Sequence, residues 1–154
     1  MIFISEEALH TSVKMTAATL QTSVLQAHMV WQLKAKGQAV GDMPGFLDDS
    51  VNFNANGYPI ESQDKKSPGH SVVTNPNTNM CGRLWNGLLG YNQTLDYSGA
   101  GNKLADGSHQ FYYSTASGVF KVVSAVNGLC TYALMADQQI LIEYNTLTGK
   151  VLMK

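Results

Sequence analysis

The feature of this sequence that most constrains its fold is the first stretch, residues 4–36, which contains neither glycine nor proline. It is rich in Ala, Leu, Gln, Lys and Met, which lose little conformational freedom in a helix, so it predicts one long helix. Gly37 suits the left-handed position that commonly ends a helix, and Lys34 and Lys36 suit the negative end of the helix dipole. At about 1.5 Å per residue, this helix would span roughly 50 Å.

Apolar residues within this stretch recur at steps of three or four and form one stripe along the predicted helix. The stripe consists of Leu9, Val13, Ala17, Leu20, Val24, Ala27, Trp31 and Ala35. No second long helix follows it in the sequence. We therefore expect the stripe to be covered by a sheet, by other chains, or by both, and the residues from Leu9 to Trp31 to mediate helix packing and assembly.

The middle of the chain, residues 37–108, is predicted to be mostly loop. A short alternating stretch interrupted by Asn-Ala-Asn-Gly predicts a small hairpin in which Gly57 has a positive φ. Residues 78–89 predict a short second helix that Gly90 ends. Two polar stretches, residues 61–76 and 91–108, are predicted to be surface loops.

Residues 109–154 change to the periodicity of strands. Short alternating stretches are separated by turns, and Asn127-Gly128 is the strongest hairpin signal among them. The apolar positions that share one face are Phe120 and Val122, then Cys130, Tyr132 and Leu134, then Ile140, Ile142 and Tyr144. This pattern predicts an antiparallel meander of four to five strands with one covered face, and the long helix is the element large enough to cover it. The sequence therefore predicts an α+β fold in a single domain over residues 1–154.

Composition limits the function classes. A chain of 154 residues with a net charge of −1 has no run of Lys and Arg, so nucleic acid is not an expected partner. No stretch approaches the roughly 20 apolar residues of a membrane span. The first few residues are too short for a signal peptide, so we expect either a cytosolic protein or one whose export segment has been removed.

No catalytic, cofactor-binding or metal-binding residues are predicted. The motifs of nucleophilic hydrolases, zinc peptidases, phosphate-binding loops and dithiol oxidoreductases do not occur. The histidines are scattered over different predicted elements and are His10, His28, His70 and His109. We expect the first two to be solvated on the flanks of the long helix, and we expect the protein not to be an enzyme.

Two weaker ligand hypotheses concern the loops. Asp96 and Asp106 could bind Ca²⁺, but they lack the regular spacing of an EF-hand loop. Trp85, Tyr91 and Tyr97 could form a surface on which a sugar stacks. A Trp on the apolar face of a helix is, however, more typical of a core residue.

The two cysteines, Cys81 on the predicted second helix and Cys130 on a central strand, allow two interpretations. They could be two buried free thiols, or they could form a disulfide if the compartment is oxidising. A bridge would close a loop of about 50 residues and could add roughly 4 kcal/mol of stability. Neither cysteine has a second Cys or His at the spacing of metal ligands.

Several stretches occur in an order that is informative as a whole. They are residues 4–8 with the helix up to His28, then Asn56-Gly57-Tyr58-Pro59, Cys81 with Leu84-Trp85 and Leu88, Cys130-Thr131-Tyr132, Ile142-Glu143-Tyr144-Asn145 and Thr148-Gly149-Lys150-Val151. In this order the chain resembles type IV pilins and the related secretion pseudopilins, and the mannose-sensitive haemagglutinin pilins in particular. The resemblance implies the pilin fold and a structural role as a major or minor pilus subunit that serves surface attachment. It also implies a Cys81–Cys130 disulfide, since the protein would be exported.

The resemblance further implies partners and a location. The cleavage site, N-methylated Phe, inserted glutamate and apolar half-helix typical of the family are absent, and we expect them to have been removed for solubility. That segment would anchor the subunit in the inner membrane before assembly and form the core of the extracellular filament afterwards. The partners would be other pilin subunits and a surface glycan, with no cofactor. The stripe on the long helix would pack its upper part on the sheet and its lower part on neighbouring subunits.

Two alternatives remain at the level of sequence. The same architecture would serve a pseudopilin of a type II secretion system. A carbohydrate-binding adhesive tip module would instead use aromatic loop residues such as Tyr91 and Tyr97.

Overall fold

The computed structural model describes residues 5–35, 37–47, 49–62, 76–89, 120–134 and 136–154. In chain order its elements are α1 (Glu6–Lys34), β1 (Val51–Phe53), β2 (Pro59–Ser62), α2 (Thr78–Leu89), β3 (Phe120–Val126), β4 (Leu129–Leu134), β5 (Leu141–Asn145) and β6 (Val151–Met153). The protein is therefore α+β, with a long first helix and antiparallel strands in two sheets, as the sequence predicts.

Helix α1 follows the predicted stretch, whose end residues 4 and 36 lie outside the described residues. Ser5 caps its N-terminus, because the side-chain hydroxyl accepts a hydrogen bond from the Ala8 amide at 3.1 Å. At the other end the Ala35 amide donates to the Trp31 carbonyl at 2.8 Å. Gly37 follows with a φ of +82°, so the chain leaves the helix through the left-handed glycine that the sequence predicts.

The larger sheet is an antiparallel meander in the order β3-β4-β5-β6. Tyr132 lies opposite Val122 on one side and Ile142 on the other, so the predicted inward-facing residues do share one face. Asn127 and Gly128, with φ values of 53° and 80°, form the tight turn between β3 and β4. Positive φ at both central residues is the condition for the hairpin turn that Asn-Gly predicts.

The smaller sheet is the hairpin of β1 and β2. Gly57 in its turn has a φ of +85°, which confirms the sequence prediction. The turn also packs closely on α1, since a Cβ atom at Gly57 would lie only 2.3 Å from the Trp31 ring. Glycine is therefore required here both by the backbone conformation and by the close approach. The start of the predicted meander, residues 109–119, and the predicted loop over residues 91–108 lie outside the described part of the chain.

The main core lies between the meander and both helices. It consists of Val13, Ala17, Leu20, Val24, Cys81, Leu84, Trp85, Phe120, Val122, Cys130, Tyr132, Leu134, Ile140, Ile142 and Tyr144. The expectation that α1 alone covers the sheet is incomplete, because α2 packs on the same face. The Trp85 ring lies 4.4 Å from the Tyr132 ring and 4.8 Å from the Phe120 ring, measured between centroids.

The predicted surface loop over residues 61–76 is wrong at its first two residues, because β2 extends to Ser62. Glu61 lies in β2 and is buried. Its carboxylate accepts a hydrogen bond from Arg83 Nε at 2.8 Å and another from the Asn52 amide group at 3.4 Å. A buried carboxylate is tolerated when it is paired and hydrogen-bonded in this way. Residues 63–75 of the same prediction lie outside the described residues.

Candidate functional site

The sequence-predicted packing residues of α1 lie in the interior of the chain. Val13, Ala17, Leu20, Val24 and Ala27 are buried. Leu9 packs at the edge of the main core, and Trp31 packs on a second cluster near the C-terminal end of the helix. The predicted stripe is therefore covered within this chain along most of its length.

A different face of α1 is exposed, and it is also apolar. We call it the outer face and define it by Met15, Leu25, Met29 and Leu33, whose exposed fractions are 67%, 51%, 62% and 82%. At 3.6 residues per turn these four positions fall within about 80° of one another. They lie roughly opposite the buried stripe, so the helix has two apolar faces.

The outer face carries no formal charge. Between Lys14 and Lys34 the sequence contains no Asp, Glu, Lys or Arg. This segment, residues 15–33, extends for about 27 Å along the helix axis. The exposed side of a helix in a monomeric protein is normally charged or polar, so this surface is unusual for one that faces water. The absence of charge is visible in the sequence. It indicates the exposed face, which the periodicity of the buried stripe does not reveal.

This face is suited to packing against another apolar surface and not to chemistry. Full burial of a Leu or Met side chain contributes about 1.5–3 kcal/mol. Four such side chains along one helix would therefore supply several kcal/mol to an association, before the cost of ordering the partners. Ala18 and Thr22, both exposed, are small residues of the same face and would allow a neighbouring helix to approach closely.

A disulfide between Cys81 and Cys130 joins α2 to β4. Both cysteines are buried, and the Tyr132 hydroxyl donates a hydrogen bond to the Cys81 carbonyl at 2.7 Å. The sequence allows either two free thiols or a disulfide, and the structure contains the disulfide. It holds the second helix onto the sheet beside α1.

Two buried tyrosines lie under the helices in this core. Burial raises the pKa of Tyr132. Burial also raises the pKa of Tyr144, and its proximity to Tyr132 and Tyr58 adds to the shift. The Tyr144 hydroxyl donates to the Pro59 carbonyl at 2.7 Å, which connects the meander to the small hairpin. Both side chains are neutral structural hydrogen-bond donors at neutral pH and not candidate catalytic acids.

The sequence predicts that His28 is solvated on the flank of α1. In the structure His28 is instead part of an aromatic stack. Its ring lies 4.3 Å from the Tyr58 ring and 5.5 Å from the Trp31 ring, both nearly parallel. Its Nδ1 atom lies 2.7 Å from the Gly57 carbonyl oxygen. The sequence could not show this contact, because it depends on the hairpin turn folding back onto the helix.

The hypothesis of a sugar-stacking surface loses one of its three residues. Trp85 is buried in the core, so it offers no ring face to a ligand. Tyr91 and Tyr97, as well as the Ca²⁺ candidates Asp96 and Asp106, lie outside the described residues. Within the described residues no group of three or more His, Cys, Asp or Glu is arranged to hold a metal ion. In the same part of the chain, no helix is both long enough and apolar enough to cross a membrane.

Comparison of this chain with models of protein families, with curated proteins and with solved structures finds no match.

Proposed function

We propose that this chain is a structural subunit, major or minor, of a type IV pilus similar to the mannose-sensitive haemagglutinin pili. In this proposal it has the pilin fold, assembles through its N-terminal helix and serves surface attachment. The observation that carries the proposal is the outer face of α1, an exposed apolar surface without formal charge on a helix whose opposite face is already covered.

The character of the outer face favours other subunits of the same kind as its partners. Large apolar side chains exposed together on one face of a helix are typical of an interaction site. Because this face offers no charge to a charged ligand, the complementary surface must itself be apolar and uncharged. The outer face of a neighbouring copy meets that condition, and two helices packed side by side would be about 8–10 Å apart.

The disulfide supports the proposed location. Disulfides persist in oxidising compartments and are rare in the cytosol, so a buried Cys81–Cys130 bridge suits an exported protein. We propose that the subunit is held in the inner membrane by a preceding apolar segment with an N-methylated Phe, and that it moves into the extracellular filament on assembly. A surface glycan is the proposed receptor of the filament.

The experiment is to express the chain behind a prepilin leader and apolar half-helix in pilus-forming bacteria and to measure its incorporation into sheared filaments. We expect incorporation of the parent chain and loss of incorporation in Leu25→Glu and Met29→Glu. Val126→Glu is the matched control, because Val126 is a similarly exposed apolar residue, 58%, at the end of β3 beside the turn to β4 and not on α1.

Normal incorporation of the two α1 variants would contradict assembly through the outer face. Failure of the parent chain to incorporate would contradict the proposal that the chain is a pilus subunit. If deletion of the gene stops protein secretion and leaves pili intact, the chain is a pseudopilin of a type II secretion system, which would assemble through the same face. An adhesive tip module would instead require glycan binding by the isolated domain.

A further inference from the structure

Two of the four large side chains on the outer face of α1 are methionines. Met15 and Met29 are mostly exposed, whereas Met43 and Met80 have exposed fractions of only 1% and 7%. The molecule therefore contains thioethers in two very different environments. Met15 lies at the N-terminal end of the outer face and Met29 nearer its C-terminal end, about four helical turns away.

We propose that Met15 and Met29 form a modification site at which a peroxide changes the outer face from apolar to polar. The thioether sulfur attacks one oxygen of hydrogen peroxide, the O–O bond breaks, an S–O bond forms and water leaves. Methionine is thereby oxidised to the sulfoxide and the peroxide is reduced. Exposure governs the reaction, so the two buried methionines are protected by the core.

The sulfoxide changes what the outer face can bind. Its oxygen is a strong hydrogen-bond acceptor, and covering it with the apolar side chains of a partner would remove it from water. Residues 15–33 contain no Lys or Arg that could donate a hydrogen bond to the sulfoxide oxygen. Oxidised subunits would therefore be excluded from assembly until a methionine sulfoxide reductase restores the thioether. This consequence rests on the proposed assembly through α1, whereas the selective oxidation does not.

The first test measures selectivity on the purified folded chain. Hydrogen peroxide is added, and sulfoxide at each methionine is followed over time by proteolysis and mass spectrometry. We expect Met15 and Met29 to oxidise at least about tenfold faster than Met43 and Met80, which react only when the structure opens locally. Equal rates at all four positions would overturn the proposal. The circular dichroism melting curve of the oxidised protein serves as a control and should be unchanged.

The second test measures the consequence in pilus-forming cells. The control is the Met15→Leu/Met29→Leu double variant, which keeps the apolar volume but has no methionine on the outer face that could be oxidised. After a peroxide pulse we expect incorporation of the parent subunit to fall at least about fivefold relative to this variant. An equal fall in the incorporation of the parent subunit and the double variant would overturn the proposed oxidation switch, but it would not contradict assembly through α1. If the untreated parent does not incorporate, the proposed function fails instead, and the selectivity measurement alone decides the modification site.

Discussion

Removal of the Cys81–Cys130 disulfide should cost the protein about 4 kcal/mol of stability. The two cysteines are separated by 49 residues. In the chain-entropy model, a closed loop of about 50 residues removes roughly 14 cal/mol/K from the unfolded ensemble, which is about 4 kcal/mol at 25 °C. The perturbation is reduction of the parent chain, because reduction breaks the cross-link and keeps both sulfur atoms in the core.

The assay is urea unfolding followed by circular dichroism, with the parent chain oxidised and reduced. The Cys81→Ala/Cys130→Ala variant provides a second reference without any thiol. We expect the free energy of unfolding to fall by about 3–5 kcal/mol on reduction, and the variant to show no response to reductant. A fall of this size is a large part of the total stability of a typical domain.

Two outcomes would refute this reasoning. A loss below about 1 kcal/mol would mean that the cross-link does not restrict the unfolded chain as the loop length requires. Labelling of both thiols in protein from an oxidising compartment, without prior reduction, would mean that the bridge does not form. The second outcome would also remove the support that the bridge gives to an exported protein.

Three further predictions concern the polar and titratable groups of the interior. Arg83→Met removes the cationic partner of the buried Glu61 and should destabilise the protein by about 3–5 kcal/mol in urea unfolding, with Glu61→Gln/Arg83→Met recovering part of the loss. Gln21 accepts a hydrogen bond from the Val151 amide at 2.9 Å and donates one to the Gly149 carbonyl at 2.8 Å. Gln21→Ala should therefore lower the free energy of unfolding by about 1–3 kcal/mol, whereas Gln21→Glu should keep only the bond that Gln21 accepts. Burial raises the pKa of Tyr132 and Tyr144 in the folded state, so above about pH 10 the unfolded state gives up protons that the folded state keeps, and stability should fall there as pH rises and be constant just below. Urea unfolding curves recorded at several pH values between 8 and 11 check this last prediction, and an unchanged urea midpoint across pH 10 would contradict it.

Features that depend on neighbouring residues in the sequence could be predicted. The Asn127-Gly128 turn and the positive φ of Gly57 follow from the conformational preferences of those residues. The alternation around Tyr132 specified the covered face of β4, because a shift of one residue would have exposed it. The bounds of α2 likewise follow from its composition and from the breaks on either side.

Features that depend on distant contacts could not be predicted in this way. Glu61 looks like the start of a polar loop, and only the approach of Arg83 on α2 makes its burial possible. His28 looks like a polar flank residue until the hairpin turn brings Tyr58 against its ring. Both cases involve polar side chains whose environment is set by tertiary contacts and not by local periodicity.

The outer face of α1 belongs to a third category. Leu25, Met29 and Leu33 recur at the same helical spacing as the buried stripe, so periodicity alone could not decide which face the sheet would cover. The absence of charged residues over 15–33 indicated that the exposed face would be uncharged. The burial of Val24 and the exposure of Leu25, which are adjacent in sequence, then separate the interior face from the proposed assembly face.

The most direct test of assembly through α1 is thiol labelling of Leu25→Cys in isolated subunits and in assembled filaments. The native cysteines are buried and bridged, so a maleimide reagent reports on the new thiol alone. We predict rapid labelling in isolated subunits and strong protection in filaments, with Val126→Cys labelled equally in both states. Equal labelling of Leu25→Cys in subunits and filaments would contradict the claim that the outer face of α1 is the surface through which the protein assembles.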